Sequence, residues 1–207
     1  GPACKLLNMH KTDRMHYLTS MQTDAFIGTQ IYQKVMQTPC SFFANGDQTS
    51  TTIRTLKGKT ILIQHNVMSP RPYNRMFQVI GTQGYAAKYP TPEIMLSRES
   101  AAKVGIDFDE NSVLLSASQI ETLLRSYAPD FRPETINLAK QLDPRGGMSY
   151  FMDLRLAHCL QQGLPLDMDV YDLAEWCSIA ELSKLSIEHG SMPVMIPDFT
   201  RGAGFVR

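Results

Sequence analysis

Charge is scarce in this chain and neither sign prevails. Of 207 residues only 19% are charged, with lysine plus arginine at 20 and aspartate plus glutamate also at 20. A nucleic-acid backbone or an anionic membrane selects a basic excess, so neither is an expected partner. No run of 18 or more apolar residues occurs, so no membrane span is expected. The opening G-P-A-C-K lacks the basic-then-apolar order of a signal peptide, and a soluble chain is the expectation. Cysteine is rare and scattered: Cys4, Cys40, Cys159 and Cys177 include no C-x-x-C pair, which argues against structural zinc. Cys159 and Cys177 fall in helical patterns and are expected to be buried thiols. His10, His16, His65, His158 and His189 form no H-E-x-x-H or similar ligand spacing. The acidic run D-F-D-E-N from Asp107 to Asn111 lacks the glycine and terminal glutamate of a calcium loop, so no metal is expected. No G-x-G-x-x-G follows a strand pattern, so a dinucleotide-binding unit within these residues is not expected either.

With 43% hydrophobic residues, the chain can bury a full core and is expected to form one domain over residues 1–207. Residues 15–20 read as a strand. Residues 24–35 have helical spacing, with Phe26, Ile27, Ile31 and Val35 as the stripe expected to be buried. Residues 49–55 and 60–67 alternate, are rich in β-branched side chains, and are joined at Lys57-Gly58 as a hairpin. Residues 75–80 and 85–89, separated by G-T-Q-G, complete an antiparallel meander of about four strands. Residues 90–118 show no sustained period and are read as a surface excursion. Helical patterns then cover 118–127, 133–141, 148–162 and 171–188. Gly163 is placed to cap the third of these and Asp169 the fourth. Strands followed by helices predict an α+β fold: a mostly antiparallel open sheet with helices packed on one face.

The segment M-S-P-R-P-Y-N-R, Met68 to Arg75, stands at the exit of the strongest β pattern. Its prolines hold the backbone extended, so Tyr73 presents a ring face and a hydroxyl with little entropy left to lose. Such a tip suits a sugar, because the ring covers a C–H face while hydroxyl and guanidinium groups bond the oxygens. Tyr73, Arg71 and Arg75 are the candidate substrate-binding residues. The same residues also fit a structural turn with solvated arginines.

Several segments together carry a family likeness. They are L-N-M-H from Leu7, Y-L-T-S-M from Tyr17, G-D-Q-T from Gly46, P-R-P-Y from Pro70 with Arg75, G-T-Q-G-Y from Gly81, G-G-M from Gly146, G-L-P-L-D-M-D-V-Y-D from Gly163, Trp176, and P-D-F-T-R-G from Pro197. In order and content they resemble the C-terminal domain of the NAD-dependent α-N-acetylgalactosaminidases, glycoside hydrolase family 109 of the Gfo/Idh/MocA oxidoreductase superfamily. The resemblance spans nearly the whole chain outside about 90–140. It implies an N-terminal NAD-binding Rossmann domain, absent from this chain. It also implies a route in which NAD⁺ oxidises C3 of the sugar, the C2 proton is lost, the aglycone is eliminated, water adds at C1 and the hydride returns. That route needs no carboxylate pair of the ordinary glycosidase kind.

By the same resemblance the family's substrate-contacting tyrosine falls on Tyr73, with Arg71 and Arg75 framing it. The family's catalytic tyrosine and histidine, in a Y-P-T-H-G motif, would fall upstream of Gly1. No catalytic residue is therefore expected within this chain, and alone it is expected to be inactive and to hold no NAD. Homo-oligomerisation through the open sheet face and a bacterial periplasmic or envelope setting are implied as well. Two departures are evident: Arg145 and Ser149 stand where the family has histidine and aspartate flanking G-G-M, which bears on which sugar is taken. The alternatives left by the sequence are a sugar oxidoreductase of the same superfamily and a non-catalytic dimerisation module.

Overall fold

The computed structural model describes residues 1–40, 42–108, 110–127, 133–143 and 146–202. The elements run α1 (Pro2–Leu6), β1 (Met15–Gln22), α2 (Phe26–Met36), β2 (Thr49–Thr55), β3 (Thr60–His65), β4 (Gln78–Gly81), β5 (Gly84–Ala87), β6 (Glu93–Ser97), α3 (Arg98–Lys103), β7 (Ser112–Leu114), α4 (Ala117–Ser126), α5 (Pro133–Leu142), α6 (Met148–Gln162), α7 (Val170–Glu188) and β8 (Val194–Met195). This is the α+β class read from the sequence, with open antiparallel sheets, α7 against the first and the short α3 against the second. The strands do not form one meander. They divide into two four-stranded sheets, ordered β3-β2-β1-β8 and β4-β5-β6-β7. The chain itself divides into two compact units, Gly1–Pro70 with His158–Arg207, and Arg71–Ala157.

In the first unit the β2–β3 hairpin closes where the sequence places it. Gly58 takes φ +80 and its N–H donates to Thr55 O at 3.1 Å, a backbone state that glycine adopts without a Cβ penalty. Asp13, wholly buried, fastens that turn. It accepts from the Thr55 hydroxyl at 2.8 Å and from the N–H groups of Arg14 and Lys57 at 2.9 and 3.1 Å, with Lys59 Nζ at 3.4 Å. Burial pushes its pKa up, but the donors from Thr55, Lys57, Arg14 and Lys59 together outweigh burial and hold it below the ordinary carboxylate value.

Alternation then sends Leu18 and Ser20 of β1 and Thr51 and Ile53 of β2 to the same inward face, where α7 covers them. Leu18 and Ile53 are fully buried and join Cys4, Met9, Met15, Val194 and Ile196 in one core, with Trp176, Ile179 and Leu182 of α7 packed on it. Beside that core runs a buried hydroxyl chain: Ser20 N–H donates to Ser186 Oγ at 2.9 Å, Ser20 and Thr51 share a 2.8 Å bond, and Thr51 and Ser183 one of 3.0 Å. Ser186 Oγ in turn donates to Met192 O at 2.7 Å. Each buried polar atom so paired avoids the cost of desolvation without a partner.

Asp169 caps α7 as its position predicts. Its side chain accepts from Tyr171 and Asp172 N–H at 2.8 and 3.0 Å, and Asp172 reaches back to the Asp169 N–H at 3.2 Å, closing a capping box. Gly163 follows α6 with φ +63.

Besides the single meander, three further expectations do not hold. The stripe on α2 faces outward: Phe26 is 64% and Val35 71% exposed, and Ile31 is exposed too. The helix is seated instead by its glycine and a remote cap. Gly28 is buried so close to Phe43 that a Cβ would stand 2.9 Å from the ring, and Asp47 accepts from Phe26, Ile27 and Gly28 N–H at 3.0, 2.8 and 2.9 Å. Those amides, Ile27 first, hold the Asp47 pKa low. Cys159 is buried as expected, but Cys177 is exposed, because the inward line of α7 runs through Asp172, Glu175, Trp176, Ile179, Ser183 and Ser186, one step away from it. Residues 90–118 are not an irregular excursion. They supply β6, α3 and β7, with Ser97 capping α3 by accepting from Ser100 N–H at 3.2 Å.

In the second unit β4, β5, β6 and β7 pair in sequence order, and α3 packs on β6 and β7. Gly84 is required by close approach: a Cβ there would lie 2.7 Å from the Met95 carbonyl oxygen of the neighbouring strand.

Candidate functional site

Residues 71–77 adopt no regular structure and lead into β4. Pro70 and Pro72 have no N–H to give a sheet ladder, so pairing lapses here and the side chains stand clear. Tyr73 is 71% exposed. Its hydroxyl accepts from Arg75 Nε, and the Arg75 guanidinium carbon lies 5.6 Å from the ring centroid. With that hydrogen bond made, the guanidinium sits at the hydroxyl end of the ring. Tyr89, just past β5, meets Tyr73 edge-on with centroids 6.1 Å apart, and Lys88 Nζ lies 5.8 Å from the Tyr89 centroid. Arg71 is tied back to the loop, donating from Nη2 to Asn74 O at 3.1 Å. Asn74 Oδ1 also accepts from Met76 N–H at 2.5 Å, beside a left-handed Met76 at φ +46.

The structure thus brings Tyr73 and Arg75 into direct contact and places Arg71 in the same loop, bonded to the backbone and not to the tyrosine. Tyr89 and Lys88 were not singled out in the sequence. The signal available was the aromatic-cation pair K-Y at the end of the predicted strand 85–89, antiparallel to the segment carrying Tyr73. Of the two departures flanking G-G-M, Arg145 lies outside the described residues, and Ser149 donates its N–H to Asp143 Oδ2 at 2.6 Å.

A second polar cluster belongs to the first unit. His10, in a left-handed loop conformation at φ +61, places Nε2 at 3.0 Å from Glu175 Oε2 and 3.9 Å from Asp172 Oδ1, while Lys5 Nζ lies 3.1 Å from Asp172 Oδ2. The His10–Glu175 contact has ion-pair distance without straight hydrogen-bond alignment. Contact with Glu175 raises the His10 pKa above its ordinary 6.5, against burial and with help from Asp172 and Asp169. Glu175 is buried, so this cluster fastens the 1–13 segment onto α7 and presents little to a ligand. Among the described residues no three of histidine, cysteine, aspartate and glutamate converge to hold a metal ion.

The family model described as "Glycosyl hydrolase 109, C-terminal domain" matches residues 1–205. The chain belongs to glycosyl hydrolase family 109. It is 52% identical over 206 residues to Glycosyl hydrolase family 109 protein 1 of Bacteroides fragilis, covering 98% of this chain and 44% of that protein. It is 50% identical over 205 residues to the protein of the same name from Bacteroides thetaiotaomicron, with the same coverages. With the Glycosyl hydrolase family 109 protein of Porphyromonas gingivalis it shares 48% over 206 residues, again 98% and 44%. The chain therefore spans under half the length of the family 109 proteins it matches.

Proposed function

We propose that this family 109 domain is the substrate-binding and assembly part of an NAD-dependent glycosidase acting on α-N-acetylgalactosaminides, with Tyr73 as the residue that meets the sugar. The observation that carries the reading is the exposed, proline-flanked Tyr73 whose hydroxyl is fixed by Arg75. A hydroxyl oriented by a cation and a ring face left open supply the polar and the stacking half of a sugar contact. Holding such a group in advance lowers the entropy cost of binding.

A dinucleotide fits a parallel β-α-β unit whose first turn is glycine-rich. All pairings within the two sheets here are antiparallel, so the described residues offer NAD no such cradle and no redox step is assigned to them. Their part is binding and orienting the sugar. The described helices include none long and apolar enough to cross a membrane.

The assembly half of the reading rests on the outer face of the first sheet. Tyr17, Met21, Leu62 and Met195 share it, opposite buried Leu18 and Ile53, and Leu62 is 62% exposed. Size-exclusion chromatography with light scattering is expected to give a mass twice that of one chain, and Leu62→Glu to return it to the monomer.

The glycosidase half is tested by nitrophenol release from p-nitrophenyl α-N-acetylgalactosaminide, using this chain joined to the remainder that the Bacteroides fragilis relative carries, with and without added NAD⁺. Release that depends on NAD supports the reading. An oxidised sugar as product in place of a free one moves the assignment to a sugar oxidoreductase.

A further inference from the structure

The chain is neutral overall, yet from Gln48 through Pro92 it contains no aspartate or glutamate while carrying Arg54, Lys57, Lys59, Arg71, Arg75 and Lys88. Two of those cations lie against the tyrosine pair, and a third stands in the same loop. Arg75 is on the Tyr73 hydroxyl, Lys88 Nζ is 5.8 Å from the Tyr89 centroid, and Arg71 lies two residues before Tyr73. Arg71, Arg75 and Lys88 are all exposed, and among the described residues no carboxylate lies within ion-pair distance of any of them. Elsewhere exposed cations do have such partners: Lys103 pairs with Glu99 at 2.7 Å and Arg125 with Glu121 at 2.6 Å.

A cation without a local partner is free to meet a ligand anion, and a guanidinium keeps donors to spare after giving one to a neighbour. Arg75 gives its Nε to Tyr73, and Arg71 gives one N–H to Asn74 O. The donors that remain flank two aromatic rings, one with an exposed face.

We propose that the Tyr73 site takes an oxyanion-bearing saccharide, in which the sugar ring lies against Tyr73 and Tyr89 while a sulfate or carboxylate on the sugar is met by the cations beside those rings, Arg75 and Lys88. This rests on the reading that Tyr73 binds the sugar and names the class of sugar. Neutral N-acetylgalactosamine would use the rings and the Tyr73 hydroxyl alone. A charged substituent adds charge-assisted hydrogen bonds of the stronger kind.

The test is titration calorimetry on the 207-residue chain with N-acetylgalactosamine, N-acetylgalactosamine 6-sulfate, galacturonic acid and inorganic sulfate, each at low and high salt. The expected result is that at least one anionic sugar binds roughly tenfold tighter than N-acetylgalactosamine, the worth of one added charge-assisted bond. That margin is expected to shrink in salt and to collapse in the Arg75→Gln and Lys88→Gln variants, whose folding is checked by thermal melting. Inorganic sulfate is expected to bind far more weakly than either anionic sugar. Equal affinity for neutral and anionic sugars overturns this inference and leaves the sugar-binding reading standing. Sulfate binding as tightly as the sugars shows an anion site without sugar recognition, and binding of no sugar removes both readings together.

Discussion

The two units of the molecule bury different things. The apolar residues buried in the first include Met9, Met15, Leu18, Ile53 and Ile196, gathered under α7 and bordered by a hydroxyl chain and a buried carboxylate. Among the described residues those buried in the second are Ala87, Ala101, Leu115, Ile120 and Ala139. Alanine removes little area from water and larger aliphatic side chains remove much more, so among the described residues the fully buried side chains of the first unit contribute more hydrophobic stabilisation than those of the second. The second instead displays Tyr73, Arg71, Arg75 and Lys88 at its surface. A well-buried sheet beside a lightly packed one that carries exposed aromatic and cationic side chains on a loop is the division expected if the loop is where binding is set.

That contrast is broken most sharply from the core outward. Leu18→Ala, at the centre of the first unit, is expected to cost about 3–4 kcal/mol, read as a lower urea midpoint. Hydrogen exchange in the same protein should show β4 to β7 opening at lower free energy than β1 and β2. Equal protection of the two sheets would end the contrast.

Next comes Gly46→Ala. A Cβ there would fall 1.9 Å from the Thr23 carbonyl oxygen, so the backbone must move, and a loss of about 2–3 kcal/mol is expected in thermal melting. Ser186→Ala is smaller. It leaves the Ser20 N–H buried without its 2.9 Å acceptor, and about 1–2 kcal/mol should be lost.

The smallest effects follow pH and fall on the first unit. The folded pKa of His10 is raised, so its stabilisation is complete below its ordinary 6.5 and is lost as pH rises through the raised value. The folded pKa of Asp13 is lowered, so its contribution is complete above the ordinary 3.8 and is lost as pH falls through the lowered value. The thermal midpoint should therefore be highest between those ordinary values. His10→Asn should flatten the alkaline side and leave the acid side unchanged. An alkaline decline that survives the substitution would assign it to another group.

The periodic signals carried most of the fold. β1, the β2–β3 hairpin, α6 and α7 stand within two residues of their predicted bounds, because alternation and capping are local codes. What was not legible depended on distant partners. The α2 stripe was apolar, but the helix is seated by Asp47 from some twenty positions away, so its apolar face stays outside. β8 contributes two residues, Val194–Met195, too few for any period to show, yet it completes the first sheet beside β1. The short β6 and β7 give little alternation to read, which is why residues 90–118 looked irregular. Within the candidate site, Tyr73 and Arg75 stand out because a stiff P-R-P-Y segment is unusual in itself. Tyr89 and Lys88 join them only through the antiparallel pairing of β4 with β5. The His10–Glu175 contact was hidden for the same reason, its members separated by most of the chain.

The most direct test of the Tyr73 site is Tyr73→Phe in this chain joined to the remainder its relatives carry, with turnover of p-nitrophenyl α-N-acetylgalactosaminide and thermal midpoint measured side by side. Removing one exposed hydroxyl should lower turnover about tenfold or more, the scale of one hydrogen bond to a charged group, while the midpoint stays where it was. Unchanged turnover would take Tyr73 out of the site, and an equal fall in turnover and midpoint would make it a structural residue.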